Sequence, residues 1–325
     1  MKRFLSVFLF TFLSIAVSAQ QDAQFSQNMF NKLAINPAFA GAYNSICASL
    51  LGRQQWVKFT NSGGTPQTYL LNFDAPVSLL HGGVGFNILQ DKIGRENTMS
   101  VNAAYAFRLP LGPGTFSAGL TLGMLNKQIN SSGWVTPDLD PALDPAIPSD
   151  NVNKIVFDMG LGVYYNIGTR LFLGVSTTHL PASAVKISGS SAEKDTAFNW
   201  DTKRHYYIMS GYTYPLGGSV IWDLRPSIFV KTDGTSAQVD FNCNIMYNKT
   251  FWGGIAYRYK DAVVPTVGFQ QASGLRVGIA YDVTTSDLKN GAKGGRTSTF
   301  ELMLGYCFKR PEKVSIQKKK NVRFL

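Results

Sequence analysis

Along most of the chain, large apolar residues recur at every second position. Phe157, Met159, Leu161, Val163 and Tyr165 alternate with Asp158, Gly160, Gly162, Tyr164 and Asn166. The same rhythm runs through Phe116–Met124, Val239–Tyr247, Leu275–Val283 and Phe300–Phe308. A period of two predicts β-strands whose two faces meet different surroundings. Read this way, the chain holds about fourteen strands, near 46–58, 65–76, 81–91, 97–109, 113–126, 154–166, 170–179, 203–215, 219–232, 236–247, 250–260, 263–272, 274–284 and 297–308. No helical pattern between them is available to cover the apolar faces, and exposed apolar area on that scale is intolerable in water but not in lipid.

The connections between strands point the same way. Pro110-Leu111-Gly112, Ile167-Gly168-Thr169, Pro215–Gly218 and Tyr247–Thr250 are short turns on even-numbered connections. The long segments 127–153, 180–202 and 285–296 all fall on odd ones. Outer-membrane barrels alternate short periplasmic turns with long outer loops in this manner. The expected fold is therefore all-β: a transmembrane β-barrel of about fourteen antiparallel strands with a short N-terminal periplasmic segment. Its apolar parity faces lipid, and its glycine and charged parity faces a polar lumen. That parity places Arg53, Asp74, Asp158, Asp240, Arg276, Asp282 and Glu301 in the lumen. Tyr164, Tyr165, Tyr206, Tyr207, Trp222, Trp252 and Tyr259 lie near strand ends and are expected in the interfacial girdles.

The N-terminus supplies the route to that membrane. Lys2 and Arg3 precede an uncharged run from Phe4 to Val17, and Val17-Ser18-Ala19 offers small residues at the cleavage positions. This predicts a signal peptide over 1–19, cut before Gln20, and without a following cysteine no lipid anchor is expected. The remainder divides into a 20–45 periplasmic or plug segment, a 46–308 barrel and a 309–325 basic tail. Of the 325 residues, 45% are apolar and only 16% charged, which excludes a disordered chain. The net charge of +11 resides largely in Lys309–Leu325, so the body offers no nucleic-acid surface. Three cysteines (Cys47, Cys243 and Cys307) are too few for a disulfide scaffold and show no metal-binding spacing, and their redox state is left open.

Two stretches resemble a known family. Phe25-Ser26-Gln27 and Asn36-Pro37-Ala38-Phe39-Ala40-Gly41 are similar to the amino-terminal signature of the PorP/SprF family of outer-membrane proteins from the type IX secretion system. Arg53-Gln54-Gln55-Trp56, with Gly64-Thr65-Pro66-Gln67-Thr68, resembles that family's first hairpin. The resemblance implies an outer-membrane component of the secretion or gliding apparatus. Its partners would be a secreted cargo protein of the surface-adhesin class, periplasmic type IX ring proteins and outer-membrane lipid. The reading from a different class is a diffusion channel or hydrophobic-solute transporter.

Individual residues carry narrower expectations. Asn36-Pro37 ends any preceding helix, because proline disfavours helical geometry in the residue before it. Phe25, Asn36, Pro37 and Gly41 belong either to a barrel-closing cap or to a partner-docking surface. Arg53 is expected to pair with a lumenal carboxylate such as Asp74, and Trp56 to anchor at the interface. Trp134 and Trp200, in the two longest outer loops, either contact a partner or pack loop against loop. Lys318, Lys319, Lys320 and Arg323 form a solvated tail or a docking element for an acidic periplasmic partner. Asp138, Asp140 and Asp144 match a calcium loop in part, but Leu143 and Ser149 replace its glycine and glutamate. His179 and His205 flank one outer loop with no third metal ligand evident in the sequence. No residue set satisfies the roles of a catalytic site, so no enzyme activity and no cofactor are expected.

Overall fold

The computed structural model describes residues 22–57, 64–133, 151–187, 198–217, 221–286 and 297–308. Fourteen antiparallel strands close into a barrel: β1 (Ile46–Val57), β2 (Gln67–Val77), β3 (Gly82–Ile93), β4 (Glu96–Leu111), β5 (Gly114–Ile129), β6 (Val152–Ile167), β7 (Leu171–Thr178), β8 (His205–Tyr212), β9 (Trp222–Thr232), β10 (Ala237–Tyr247), β11 (Phe251–Arg258), β12 (Ala262–Gln270), β13 (Leu275–Thr284) and β14 (Ser298–Phe308). Each pairs with its neighbours in sequence, and β1 pairs with β14 to complete the ring. A closed ring leaves no unpaired edge, which is the condition for a sheet to cross lipid. A two-stranded hairpin, Ala184–Ile187 with Phe198–Asp201, stands outside the ring on the connection between β7 and β8. Among the described residues, no helix is long and apolar enough to cross a membrane.

Side-chain parity follows the expected faces. Leu120, Leu122, Phe157, Leu161, Val163, Leu302 and Leu304 point outward and are exposed. Their alternates point inward: Ser117, Asp158, Asp240, Asp282 and Glu301 are buried. Tyr206, Trp222 and Tyr259 are outward and exposed, as interfacial residues should be. Tyr164, Tyr207 and Trp252 are not. They share the lumenal parity and are buried against the N-terminal segment, with Phe39 meeting Tyr164 and Phe30 meeting Trp252. Strand-end position suggested an interface for them; one step of the pleat sends each to the opposite face.

The seam between the first and last strands has a covalent tie. Cys47 and Cys307 face one another across β1 and β14 and are disulfide-bonded, whereas Cys243 is free and exposed on the lipid face.

Candidate functional site

The lumen is filled by the chain's own N-terminal segment. From Asp22 it runs through a short 3-10 turn at Asn28–Phe30, the single-turn helix α1 (Lys32–Ile35) and a second 3-10 turn at Pro37–Phe39, before reaching β1. Asn36 ends α1, as the proline after it requires. Its carboxamide then caps the next turn: Oδ1 accepts from the Ala38 amide at 3.0 Å, and Nδ2 donates to the Val163 carbonyl at 2.9 Å. Gly41 adopts φ +66°, and a Cβ there would press on the β2 backbone at Ala75 and Pro76. Its amide donates to Asp74 Oδ2 at 2.9 Å. Gly119 and Gly162 leave room for Ala38 and Asn36, so the glycines of the lumenal face are where the plug approaches the wall.

Two polar clusters hold this segment. The first joins five strands. Arg53 on β1 pairs with Asp282 on β13 at 2.8 Å and with Glu301 on β14 at 3.0 Å. Arg258 on β11 reaches the same Asp282 at 2.7 Å and Asp240 on β10 at 3.3 Å. Ser26 of the plug sits among them, its hydroxyl donating to Asp282 Oδ1 and accepting from Arg53, each at 2.6 Å. Glu301 accepts the Ser26 and Gln27 amides, both at 2.8 Å. Buried charges survive only when paired and fully hydrogen-bonded, and here the plug backbone supplies part of the pairing.

The second cluster surrounds Asp22, the first described residue of the segment, at the outer ends of β7 and β8. His179 Nε2 lies 2.9 Å from Asp22 Oδ1, and Thr178 Oγ1 donates to Oδ2 at 3.2 Å. The Tyr207 hydroxyl also donates to Oδ2, and Lys231 Nζ donates to the Asp22 carbonyl at 2.9 Å. Burial works against the Asp22 charge, yet His179, His205 and Tyr207 together hold its carboxyl well below the usual range. Midway along the plug, Lys32 lies 3.3 Å from the centre of the Phe172 ring. Burial, with Arg225 nearby, lowers Lys32 to about 7. Above the plug, a cavity of about 550 Å³ is lined by Phe25, Asp91, Lys127, Asp158 and Lys231 among others.

Several expectations change on this geometry. Arg53 pairs with Asp282 and Glu301 rather than Asp74, because Asp74 is taken by the Gly41 turn. Phe25, Asn36, Pro37 and Gly41 are buried inside the barrel, and Phe25 and Pro37 also line the outer cavity. Asp158 meets His179, Asp240 meets Arg258, and Arg276 stacks on Tyr43, all on the expected lumenal side. Trp200 lies on the outer hairpin opposite Val185. Trp134, the partial calcium loop and the tail residues Lys318, Lys319, Lys320 and Arg323 lie outside the described residues. Sequence reasoning missed Asp22, Lys231 and Arg258, and it named Ser26 and Tyr207 without their roles here. Parity alone could have found Arg258, since Ile255 and Tyr257 face outward.

The barrel is similar to the toluene transporter TodX of Pseudomonas putida (13% identity, TM-score 0.45, covering 88% of this chain and 94% of that one). It is also similar to a FadL homologue of Pseudomonas aeruginosa (12%, 0.44, 84% and 93%) and to an Acinetobacter baumannii outer-membrane protein (9%, 0.45, 82% and 99%). No curated protein matches the chain. The profile of the type IX secretion system membrane protein PorP/SprF matches residues 17–306. That match takes in most of the chain, plug and barrel alike, and the chain belongs to the PorP/SprF family.

Proposed function

We propose that this protein is a non-enzymatic outer-membrane component of the type IX secretion and gliding machinery, supporting the export or surface attachment of adhesin-class cargo. Family membership carries the system, and the plug carries the choice of role. A lumen crossed by a buried segment, bonded through Ser26 and Gln27 to Arg53 on β1, Asp282 on β13 and Glu301 on β14, favours a rigid scaffold over a steadily open diffusion pore. Cargo then engages the outer face, where the long connections between β5 and β6 and between β7 and β8 emerge. The basic tail docks on periplasmic ring proteins, steered by charge and weakened by salt. The discriminating experiment is affinity capture from native outer membranes with mass spectrometry, paired with single-channel recording. Co-purification of a secreted adhesin by a barrel without conductance is the expected result. A steady open pore with no captured secreted protein would favour the diffusion-channel or hydrophobic-solute reading. Capture with a chain cut after Pro311, which keeps every described strand, tests the tail: loss of ring proteins alone is expected.

A further inference from the structure

The two histidines on either side of the long outer connection converge on Asp22. One ligand atom from each of Asp22, His179 and His205 lies within 4.8 Å of the others. The two rings are turned differently, for His205 also brings Nδ1 to 3.6 Å from Asp22 Oδ2. His179 presents Nε2 to Asp22 Oδ1 at 2.9 Å, and His205 Nε2 accepts the Asp22 amide at 3.1 Å. The far nitrogen of each ring meets an oxygen. His205 Nδ1 is 2.9 Å from the Lys203 carbonyl, and His179 Nδ1 is 2.9 Å from Asp158 Oδ2, within ion-pair reach though off the line of its N–H. In metal-binding histidines an oxygen acceptor fixes one nitrogen as N–H and presents the other to the ion; the Lys203 carbonyl does this for His205, whose Nε2 exchanges the Asp22 amide for the ion on binding. The carboxylate between them is oriented in turn by Tyr207 and Thr178.

We propose that Asp22, His179 and His205 form a binding site for a divalent transition metal, with zinc the fitting ion. Two imidazoles and one carboxylate suit zinc rather than calcium or magnesium, which take oxygen ligands. Tetrahedral zinc with bonds of about 2.0–2.1 Å sets its ligand atoms roughly 3.3 Å apart. The Asp22–His179 pair stands at 2.9 Å, and the ligand atoms of all three residues lie within 4.8 Å of one another, close to that spacing. All three residues line the outer cavity, which leaves a fourth coordination position to water. The ion then ties the leading end of the plug to β7 and β8, closing a link between residues 157 and 183 positions apart in sequence.

The test needs the exported full chain, carrying a histidine-free affinity tag at its C-terminus, stripped with a chelator and titrated with zinc chloride. One zinc per barrel is expected, and cobalt(II) in its place should give the visible absorption of a tetrahedral site. His179→Ala and His205→Ala should each weaken zinc binding at least tenfold, and Asp158→Asn about 10–100-fold through loss of the orienting oxygen. Heat-modifiable gel mobility verifies that each variant is folded. His179→Gln and His205→Gln, which keep a polar group of similar reach, replace any alanine variant that is not. A folded wild-type barrel without saturable zinc binding would overturn the proposal. So would zinc binding that survives loss of both histidines. Cargo capture on the same preparations is scored separately, so failure of the export reading leaves this result intact.

Discussion

At the scale of single residues, the lumen sets costs that exposure alone would not reveal. Arg53 is the shared partner of Asp282 and Glu301, all three almost wholly buried. Arg53→Met removes the cation and leaves the carboxylates with Arg258, the Ser26 hydroxyl and two plug amides. Breaking a buried pair on one side costs about 3–5 kcal/mol, so the variant should unfold at clearly lower urea in detergent. Arg53→Lys should recover only part, because an ammonium cannot reproduce the guanidinium fork. Gly162 makes the complementary point. Sequence alternation marks it as a tolerant lumenal position where serine should be mild. The structure overturns that expectation, since a Cβ there overlaps the Asn36 side chain. Gly162→Ser should leave the barrel folded but unseat the plug, read as new single-channel conductance and as proteolysis within residues 22–41.

Elements answer to lipid on one side and to the plug on the other. On β6, Leu161 is exposed outward while Asp158 and Tyr164 are buried inward. An arginine at Leu161 enters hydrocarbon, where the cost near the midplane is about 2–4 kcal/mol. Refolding of Leu161→Arg into lipid vesicles should therefore yield a smaller heat-modifiable fraction than wild type. The plug obeys a different rule. Its helix α1 has four residues, too short to be stable alone, and its turns persist because the wall supplies partners. Val163 and Val175 carbonyls, the Asp74 carboxylate and Glu301 take up plug donors. The segment is folded by the barrel rather than by its own propensity.

Across the whole molecule, the barrel closes where its two ends meet. The pairing of β1 with β14 runs from Ile46 opposite Phe308 to Val57 opposite Ser298, and the Cys47–Cys307 bond locks its periplasmic end. That bond joins residues 260 positions apart, so it restrains nearly the entire barrel in the unfolded state. Replacing both cysteines with serine should leave the ring closed, because the ladder remains. The stability lost should be about 2–4 kcal/mol, measured as a lower urea midpoint and matched by wild type under reductant. Topology gives a second whole-molecule outcome. An epitope inserted after Ser190 should be reached by antibody on intact cells, and one after Gly217, in the turn between β8 and β9, should not.

The alternation of apolar and polar residues by itself determined the strand number, the lipid-facing set and the outward placement of the long connections. These follow from a period of two, which the pleat imposes wherever one face meets lipid. The motif residues Phe25, Ser26, Asn36 and Gly41 were visible too, but not their task. Whether they cap the lumen or greet a partner depends on which atoms face them from strands far along the chain. Only the tertiary structure decided that Arg53 meets Asp282 and Glu301, that Cys47 meets Cys307, and that Asp22 stands between His179 and His205. Closing a sheet into a ring brings residues separated by 157 to 275 positions into contact. No local pattern encodes that, because each pairing is set by the register of the closed barrel and by the path of the plug within it.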